Sequence, residues 1–483
     1  MTLHSNVTED MMFAVNISDF GAAPNGTQIQ TQAIQSAIDH VHTAGGGTVH
    51  MPIGKYRIGT IFIRSNVNLH LAPQAELVGS EDISDYPLQN YGSPHPTRHL
   101  VMFDHAQRAS LTGEGTINGS AAAFCEPPFD TPGWIVAKAE RPAAMVCAVK
   151  SQDVLIQGVR LFNPPNWNCD LFECDRVRVN GLKIINDGRW PNNDGIDISG
   201  CNDVIISDCH IETGDDAIVI NTRTRPTRRV VITNCILRTE CAALKIGWEW
   251  TPYDISQVAI SNCVLVGCNR GIASYACDGQ SVEDVTISNI VYDSNGPVMF
   301  ARPIHLDLRK SPKTGKIGVM RNFSISNVVA RTQGRILMTA EDGGMLENIT
   351  LRDVHLIYPY IEDPMPIADG NRSAQFSNPC REARKARAAV VMQNVKDVYI
   401  DNLRTTWPSV GEVPAEWRHK TKRENGPTRI FEPDWSTTRP ADFALVWAKN
   451  VSGIVNAPFG SGSSPAANDD IDATSRLTVR KAT

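Results

Sequence analysis

A repeat with a period close to 27 residues constrains this chain more than any other feature of its sequence. Five valine-led segments begin 27, 26, 28 and 27 residues apart. Apolar and polar residues alternate within each segment, which is the pattern of a β-strand with one buried face. A fixed period predicts one structural unit per repeat, each burying its apolar face by stacking on its neighbours. The segments start at Val177, Val204, Val230, Val258 and Val285.

The repeat predicts an all-β fold, a parallel β-helix in which single strands stack coil upon coil. A leucine-rich solenoid would show a Leu-x-x-Leu-x-Leu frame and a helical solenoid two amphipathic helices per unit, and neither pattern is present. Weaker copies extend the repeat at residues 66–71, 154–161, 323–329, 349–356 and 398–403. Cysteines recur at two repeat positions, which predicts buried thiols that pack as small apolar groups. These are Cys174 and Cys201 at one position and Cys209, Cys235 and Cys263 at the other.

Length and composition favour one domain. At 483 residues the chain is long for a single compact core, but a solenoid grows by adding coils and need not divide. We expect one β-helix domain over residues 1–459, with irregular insertions near 359–387 and 407–440, and a flexible tail at 460–483. Apolar residues at helical spacing between residues 28 and 43, stopped by a glycine run, predict a helix that caps the N-terminal end of the solenoid.

Charge and apolar patterning limit the partners and the compartment. A formal net charge of -6 gives no reason to propose nucleic acid as a partner. No apolar run is long enough to span a membrane, and residues 1–16 lack the basic and apolar regions of a secretory signal, so we expect a cytoplasmic protein. The twelve cysteines are then expected as reduced core thiols rather than as disulfides. The sequence does not determine the oligomeric state.

Aligning the repeats places six residues in one column across successive coils. Adjacent parallel strands lie about 4.8 Å apart, so the column would span roughly 24 Å, enough for several sugar rings. An aromatic face at one end and guanidinium groups at the other suit a carbohydrate with acidic substituents, because arginine pairs bidentately with carboxylates. The column therefore predicts a groove that binds an oligosaccharide or polysaccharide. Its members are Trp167, Asp194, Asp216, Ala242, Arg270 and Arg302.

Three acids meet near the middle of this column. Asp215 adjoins Asp216, and Asp194 lies one coil away. Like charges this close raise at least one pKa, and a proton donor beside ionised carboxylates is what glycoside hydrolysis requires. Stabilisation of tight turns and binding of calcium are the alternatives. No denser acid cluster supports a metal, so we expect neither a metal nor another cofactor.

Three short motifs accompany the acids: Asn192-Asn193-Asp194, Gly214-Asp215-Asp216 and, near the N-terminus, Asp19-Phe20-Gly21-Ala22. Together they resemble the polygalacturonase family, family 28 of the glycoside hydrolases, over about residues 17–309. Members of that family are right-handed parallel β-helices that cleave pectic galacturonans with inversion. The resemblance implies a glycosidase of galacturonan or rhamnogalacturonan-like oligosaccharides. It also implies Asp215 as the general acid, with Asp194 and Asp216 activating the attacking water.

Two departures from the family pattern bear on the substrate. Cys241-Ala242-Ala243 stands where the family has Gly-His-Gly, so the histidine beside the acids is absent. Arg270-Gly271-Ile272 stands where the family has Arg-Ile-Lys, so the arginine is retained and the lysine is not. Lys245, one coil earlier, is either a replacement for that lysine or a solvated surface residue. The candidate substrate-binding residues are Asn192, Trp167, Trp190, Lys245, Arg270 and Arg302.

Three functional classes remain open from the sequence. An inverting glycosidase is favoured, and an intracellular location would fit trimming of imported oligosaccharides from one end, with the 359–387 insertion blocking the groove. A polysaccharide lyase or uronate epimerase on the same fold would need a base, such as Arg270 or Lys245, and would leave three crowded acids without a clear purpose. A carbohydrate-binding protein that lost activity with its histidine is the third class.

Overall fold

Parallel β-strands make up most of this structure, which is a computed structural model. It describes residues 13–24, 26–91, 97–130, 133–247, 252–294, 301–358, 380, 382–383, 386–407, 444–458 and 469–481. Within these ranges, 33 strands join into one continuous sheet that winds into coils. The fold is the expected right-handed parallel β-helix, and each coil adds strands to three parallel ladders.

The first ladder carries the predicted column, and we call it the groove ladder. Successive residues of its strands point alternately into the core and outward, and most residues on both faces are buried. Its strands are Ile61–Ile63, His99–Asp104, Ala144–Val149, Trp167–Phe172, Ile196–Ser199, Ile218–Asn221, Ala242–Ile246, Arg270–Ala276, Arg302–Leu308, Ile336–Ala340, Asp470–Ile471 and the first parts of Ala388–Thr406 and Ala444–Ala457.

The second ladder contains the valine-led segments and confirms the repeat. Val177 pairs with Val204, and the same register continues through Val230 and Val258 to Val285. The weaker copies at 154–161, 323–329, 349–356 and 398–403 join the same ladder. Its strands are Ala14–Asn16, Gly47–Met51, Val67–Leu71, Gln107–Gly113, Gln152–Gln157, Asp175–Asn180, Asn202–Ser207, Thr227–Thr233, Ile255–Val266, Ser281–Asp293, Val319–Arg331, Leu346–Ile357, Ala388–Thr406, Ala444–Ala457 and Arg476–Lys481.

The third ladder follows the second at a corner of each coil. From Ile255–Val266 onward the two ladders share single long strands that bend at this corner. The separate strands of the third ladder are Gly54–Ile58, Ala75–Gly79, Thr116–Asn118, Arg160–Phe162, Lys183–Ile185, His210–Glu212 and Ile236–Arg238. Cys125–Glu126 and Val136–Ala137 form a small antiparallel pair outside the coils, and short 3-10 helices lie at Ile17–Phe20, Ile83–Asp85 and Ala121–Phe124.

Asparagine and aspartate hold the corner between the second and third ladders. This position needs a left-handed backbone conformation, which these two residue types tolerate better than most. The side-chain amide of Asn262 donates to Asn234, that of Asn289 donates to Asn262, and that of Asn327 donates to Asn289. The corner therefore stacks as a ladder of amides, at φ 57°, 56°, 57° and 52° from Asn234 to Asn327.

The interior of the coils is apolar and includes the predicted thiol columns. Cys174 and Cys201 are fully buried, and Cys209, Cys235 and Cys263 are at most 2% exposed. All twelve cysteines are free and buried, as expected for core thiols.

A helix at Thr31–Thr43 caps the first coil, which confirms the helix predicted between residues 28 and 43. Its buried face, made of Ile34, Ala37, Ile38 and Val41, packs against the strands that begin the solenoid. The helix ends before a glycine run whose last member, Gly47, has φ 148° and lies so close to Phe13 that a Cβ there would sit 2.1 Å from its carbonyl oxygen. Among the described residues, no helix is long and apolar enough to cross a membrane.

The C-terminal tail differs from the expectation of a flexible segment at 460–483. Residues 459–468 and 482–483 lie outside the described ranges, but Arg476–Lys481 forms a strand paired in parallel with Ala444–Ala457. Leu477 and Val479 alternate with polar residues and pack against the end of the core, a short pattern masked by the Gly- and Ser-rich composition around it. Most of the expected insertions at 359–387 and 407–440 lies outside the described residues, and the division into one domain and a tail stays a prediction.

Candidate active site

The predicted column is present in the register of the groove ladder. Ala242 pairs with Arg270, and Arg270 pairs with Arg302. The strands that follow Asp194 and Asp216 pair in the matching register, Ile196 with Ile218. The structure therefore brings all six members together across five successive intervals between coils: Trp167, Asp194, Asp216, Ala242, Arg270 and Arg302.

Asn193 connects the turn before Asp194 to the turn before Asp216. Its side-chain oxygen accepts the backbone N–H groups of Gly214 at 2.7 Å and Asp215 at 2.9 Å. Its amide nitrogen donates to the carbonyl of Asp187 at 3.1 Å. Gly214 must be glycine, because a Cβ there would lie 1.8 Å from the carbonyl oxygen of Gly188. The two acid-bearing turns are thus held at a fixed spacing.

Asp216 is buried among donors and cations. The backbone N–H of Ala242 donates to its Oδ1 at 2.8 Å, and the ammonium of Lys245 donates to its Oδ2. A guanidinium nitrogen of Arg270 lies 3.5 Å from Oδ1. Burial by itself would raise the pKa of Asp216, but the charges of Lys245 and Arg270 and these hydrogen bonds outweigh it and hold the pKa below its ordinary value. Asp216 is therefore ionised at neutral pH.

The two other acids have the opposite shift. Burial and the charge of Asp216 raise the pKa of Asp215, although Lys245 offsets part of this. Burial and the charge of Asp215 raise the pKa of Asp194 well above its ordinary value, and Oδ1 of Asp194 has no hydrogen-bond partner among the described residues. The site therefore holds one ionised carboxylate beside two carboxyls that tend to keep their protons.

Lys245 lies in the site and is not a solvated surface residue. Its neighbours Leu244 and Ile246 pack in the core, so Lys245 faces outward on the groove ladder, where it is 8% exposed. Burial lowers the pKa of Lys245, but the charges of Asp216 and Asp194 raise it by more, above its ordinary value. The ammonium is charged throughout the neutral range.

The arginines at the other end of the column belong to a buried polar network. Arg270 donates to the hydroxyl of Tyr275 at 3.1 Å, and that hydroxyl lies 3.2 Å from Nδ1 of His305. Arg302 approaches the same imidazole at 3.4 Å, and its pKa is lowered to about 10, mainly by burial. Burial and the charge of Arg302 hold the pKa of His305 well below its ordinary value, so this histidine is neutral.

Three of the predicted substrate-binding residues contact other side chains of the protein. Asn192 is exposed, and its side chain accepts from Arg141 at 2.9 Å, on the rim of the site. Trp190 packs edge-on against Phe129, with ring centroids 6.1 Å apart. The guanidinium of Arg223 covers one face of Trp167, 5.3 Å from the ring centroid. These contacts favour places for the three residues on the side walls of the groove rather than beside the acids at its centre.

Sequence motifs did not indicate the positioning role of Asn193 or the two further acids on the groove ladder, Asp170 and Asp197. Both acids interrupt apolar strand residues, Asp170 between Cys169 and Leu171 and Asp197 between Ile196 and Ile198. Such a placement on a buried strand was a usable signal, because an acid there must face the groove rather than the core.

One cluster of possible metal ligands coincides with the acids. Ligand atoms of Asp215, Asp216 and Cys241 lie within 4.8 Å of one another. Burial, together with the charges of Asp215 and Asp216, raises the pKa of the Cys241 thiol well above its ordinary value, and a protonated thiol is a poor ligand. The ammonium of Lys245 already contacts Asp216. The chemistry of this cluster fits proton transfer better than binding of a cation.

Comparison with protein families gives two matches along the chain. The model described as "Glycosyl hydrolases family 28" matches residues 76–365, more than half of the chain and including all three acids. The model described as "Rhamnogalacturonase A/epimerase, pectate lyase-like" matches residues 14–79, which form the first coils and the capping helix.

Individual relatives are more distant. A probable polygalacturonase of Vitis vinifera is 27% identical over 282 residues, which are 54% of this chain and 56% of that protein. An exo-poly-alpha-D-galacturonosidase of Dickeya chrysanthemi is 26% identical over 250 residues, 42% of this chain and 41% of that protein. The chain thus spans about half the length of these curated relatives. The solved structure of a hyperthermoactive exopolygalacturonase from Thermotoga maritima has a similar fold, with a TM-score of 0.64 at 18% identity over 81% of this chain and 91% of that one.

Proposed function

Because this chain belongs to family 28 of the glycosyl hydrolases, we propose that it is an inverting glycosidase that hydrolyses O-glycosyl bonds of pectin-type oligosaccharides. One observation carries the proposal: two buried acids and the partly buried Asp215 lie on adjacent coils of the groove ladder, and their pKa values are shifted in opposite directions. Glycoside hydrolysis by inversion needs a protonated acid and an ionised base on opposite sides of the scissile bond. We assign the acid role to Asp215 and the base role to Asp216.

Asp215 is the general acid in this proposal. Burial and the charge of Asp216 raise its pKa, so the carboxyl keeps its proton to a higher pH than an ordinary aspartate does. One of its oxygens accepts the backbone N–H of Asp216 at 3.0 Å, which leaves the other to carry the proton. That proton passes to the glycosidic oxygen as the bond to the anomeric carbon breaks, so that the leaving sugar departs as a neutral alcohol.

Asp216 is the base. It takes a proton from the attacking water while the water oxygen bonds to the anomeric carbon. Lys245 and the N–H of Ala242 keep Asp216 ionised for this step, although the histidine expected beside the acids is absent from the sequence. Asp194 has a buried oxygen without a protein partner, and it positions the water from the neighbouring coil.

The arginine end of the column accounts for a pectin-type substrate. Arg270 and Arg302 occupy adjacent coils in one register, about 4.8 Å apart, with Tyr275 and His305 beneath them. Two arginines on adjacent coils suit the carboxylate of a uronic acid. We assign the uronate-binding side of the groove to these two arginines.

Proton NMR of the protein incubated with pectic and rhamnose-containing oligosaccharides tests the function. New reducing ends whose first-formed anomer has the configuration opposite to the cleaved bond are expected. Asp215→Asn should abolish them, and Asp203→Asn, at a half-exposed position of the second ladder where Asp203 pairs with Arg229, is the matched control that should not. Vinylic signals of an unsaturated uronide would move the assignment to a lyase. Binding of the same sugars without any turnover would identify a carbohydrate-binding protein.

We also propose that the enzyme removes sugars from one end of its substrate. Two of the similar proteins carry exo-acting names, the Dickeya galacturonosidase and the Thermotoga exopolygalacturonase. Deleting residues 360–378, within the 359–387 insertion, should change the first products of a long oligogalacturonate from single sugars to internal fragments. An unchanged product pattern would refute this role of the insertion. A cytoplasmic location, which would fit trimming of imported oligomers, stays a prediction that cell fractionation tests.

A further inference from the structure

A second pair of acids lies on the groove ladder, in the two coils that carry Trp167 and Asp194. Asp170 and Asp197 are partners in the register of these adjacent strands, so their Cα atoms are about 4.8 Å apart. Each stands three residues beyond a member of the predicted column. The mechanism proposed above uses neither of them.

Both acids face the groove. Their sequence neighbours Cys169, Leu171, Ile196 and Ile198 pack in the core, so the acids point to the opposite face. Asp170 is 4% exposed and Asp197 5%, compared with 7% for Asp194 and 3% for Asp216. Asp170 and Asp197 are thus buried to about the same extent as Asp194 and Asp216.

Each acid has a buried oxygen without a partner. Oδ1 of Asp170 and Oδ2 of Asp197 make no hydrogen bond within the described protein. Burying such groups costs free energy, since folding removes them from water without replacing the lost hydrogen bonds. Two adjacent unpartnered acids therefore destabilise the fold, which points to a ligand that satisfies them.

The charges around Asp170 and Asp197 differ from those around Arg270 and Arg302. Arg223 lies over the rings of Trp167 and Phe172, 5.3 and 5.5 Å from their centroids, and its charge partly offsets that of the two acids. Burial raises the pKa of both Asp170 and Asp197, and in Asp197 the charge of Asp170 adds to it. A protonated carboxyl offers a donor as well as an acceptor, and burial favours this form in both acids.

We propose that Asp170 and Asp197 form a subsite for the hydroxyl groups of an uncharged sugar. Neighbouring hydroxyls of a sugar ring can bond to the unpartnered oxygens of both acids at once. A uronate in the same place would bring its carboxylate against them and be repelled. This inference rests on the proposed function and narrows its substrate.

The groove then has two chemically different sides. The Asp170 and Asp197 side takes a neutral sugar, and the Arg270 and Arg302 side takes a uronate. The preferred substrate therefore joins a neutral residue to a uronate across the bond that Asp215 protonates. Homogalacturonan, which places a carboxylate on both sides, is a poor substrate.

Competing disaccharides test this inference. We would compare kcat/KM for digalacturonate with that for mixed disaccharides of galacturonate and a neutral sugar, rhamnose or galactose, in both orders. One order should be cleaved at least about tenfold faster than digalacturonate, the effect of one charge-assisted hydrogen bond. Calorimetric titration of the same sugars into the protein measures the preference independently of turnover.

Substitutions of Asp170 and Asp197 test whether these two residues cause the preference for the mixed sugar. Asp170→Asn and Asp197→Asn keep the side-chain size but remove the charge, so each should improve binding of digalacturonate relative to the mixed sugar. Asp170→Ala and Asp197→Ala should weaken binding of the mixed sugar about tenfold. Asp208→Asn, at a corner of the coil away from the groove ladder, is the control for a change of net charge.

The outcomes separate this inference from the proposed function. Equal or better cleavage of digalacturonate would overturn the inference and leave the glycosidase intact. Binding that prefers the mixed sugar, depends on Asp170 and Asp197 and is not followed by turnover would support the subsite and overturn the glycosidase. Calcium chloride alone giving a titration signal that both Asn variants abolish would identify a cation site, and the sugar subsite would then be wrong.

Discussion

Replacing Lys245 by methionine tests how the site keeps one acid ionised. The substitution removes the ammonium that contacts Oδ2 of Asp216 and keeps a side chain of similar length. Arg270, at 3.5 Å, and the N–H of Ala242, at 2.8 Å, remain as the partners of Asp216. The pKa of Asp216 should therefore rise but should stay below that of an acid without any partner.

The expected rise in the pKa of Asp216 is large because its ion pair with Lys245 is buried. A nearby opposite charge lowers the pKa of an acid by about 1–3 units, and each unit corresponds to about 1.4 kcal/mol. The acid limb of kcat/KM should thus move up by about 1–3 pH units, because water activation requires ionised Asp216. Lys245 also lowers the pKa values of Asp194 and Asp215, so the alkaline limb should move in the same direction.

Stability gives a second measure of the same contact. The pKa of Asp216 is lowered in the folded state, so its contribution is present above the ordinary value and is lost as the pH falls through the lowered one. The pKa of Lys245 is raised, so its contribution is present below the ordinary value and is lost as the pH rises through the raised one. Both contributions are present at pH 7, where breaking a buried ion pair costs about 3–5 kcal/mol.

The assays are the pH dependence of reducing-end release and the urea midpoint at pH 7. Lys183→Met, at an exposed position of the third ladder, controls for the loss of a surface charge. Lys245→Met combined with Asp216→Asn should recover part of the lost stability, because neither charge is then left without its partner. An unmoved acid limb, together with a urea midpoint equal to that of Lys183→Met, would refute the reasoning.

Four further measurements bear on the site and the fold. Asn193→Ala leaves the N–H groups of Gly214 and Asp215 without their acceptor. It should lower kcat about tenfold or more, with a smaller change in KM. A loss of thermal stability with unchanged kcat would contradict the positioning role of Asn193. Asp215→Asn should lower kcat by about 10²–10⁴ with substrate binding retained, and a loss confined to KM would remove Asp215 from the acid role. Asn262→Ala forces an alanine to φ 56° and breaks the amide ladder, which should cost about 1–2 kcal/mol in the free energy of unfolding. Asn262→Gly should cost less, because glycine adopts this φ readily. Equal costs for the two variants would show that the backbone conformation does not matter there. A thiol titration of the denatured, unreduced protein should count twelve groups, and a count near zero would mean that the cysteines are oxidised.

Much of the architecture could be predicted because the repeat is local and regular. The alternation from Val177 onward fixes which residues face the core, and the constant period fixes which coils lie next to each other. The column from Trp167 to Arg302 follows from counting along this frame, and the structure confirms its register. The strand Arg476–Lys481 escaped prediction because two alternating apolar residues in a short segment give too weak a signal.

The roles of side chains within the column were less predictable. Asn192 and Asn193 are adjacent in the sequence, and only their burial and contacts show that Asn193 holds the neighbouring turn while Asn192 lies on the rim. Lys245 had two interpretations, and its buried contact with Asp216 excludes a solvated surface residue. Asp170 and Asp197 carry no motif, although their place between core residues could have been noticed.

The sequence alone therefore determined the repeat, the coil, the order of residues along the groove and the family to which the motifs belong. The tertiary structure decided which of three crowded acids is ionised, because a pKa depends on burial and on charges brought in from other coils. Lys245 is 29 residues from Asp216 along the chain and Arg270 is 54, yet both contact it. The repeat places residues of successive coils in one column. The distances between their charged atoms depend on how the side chains of neighbouring coils pack.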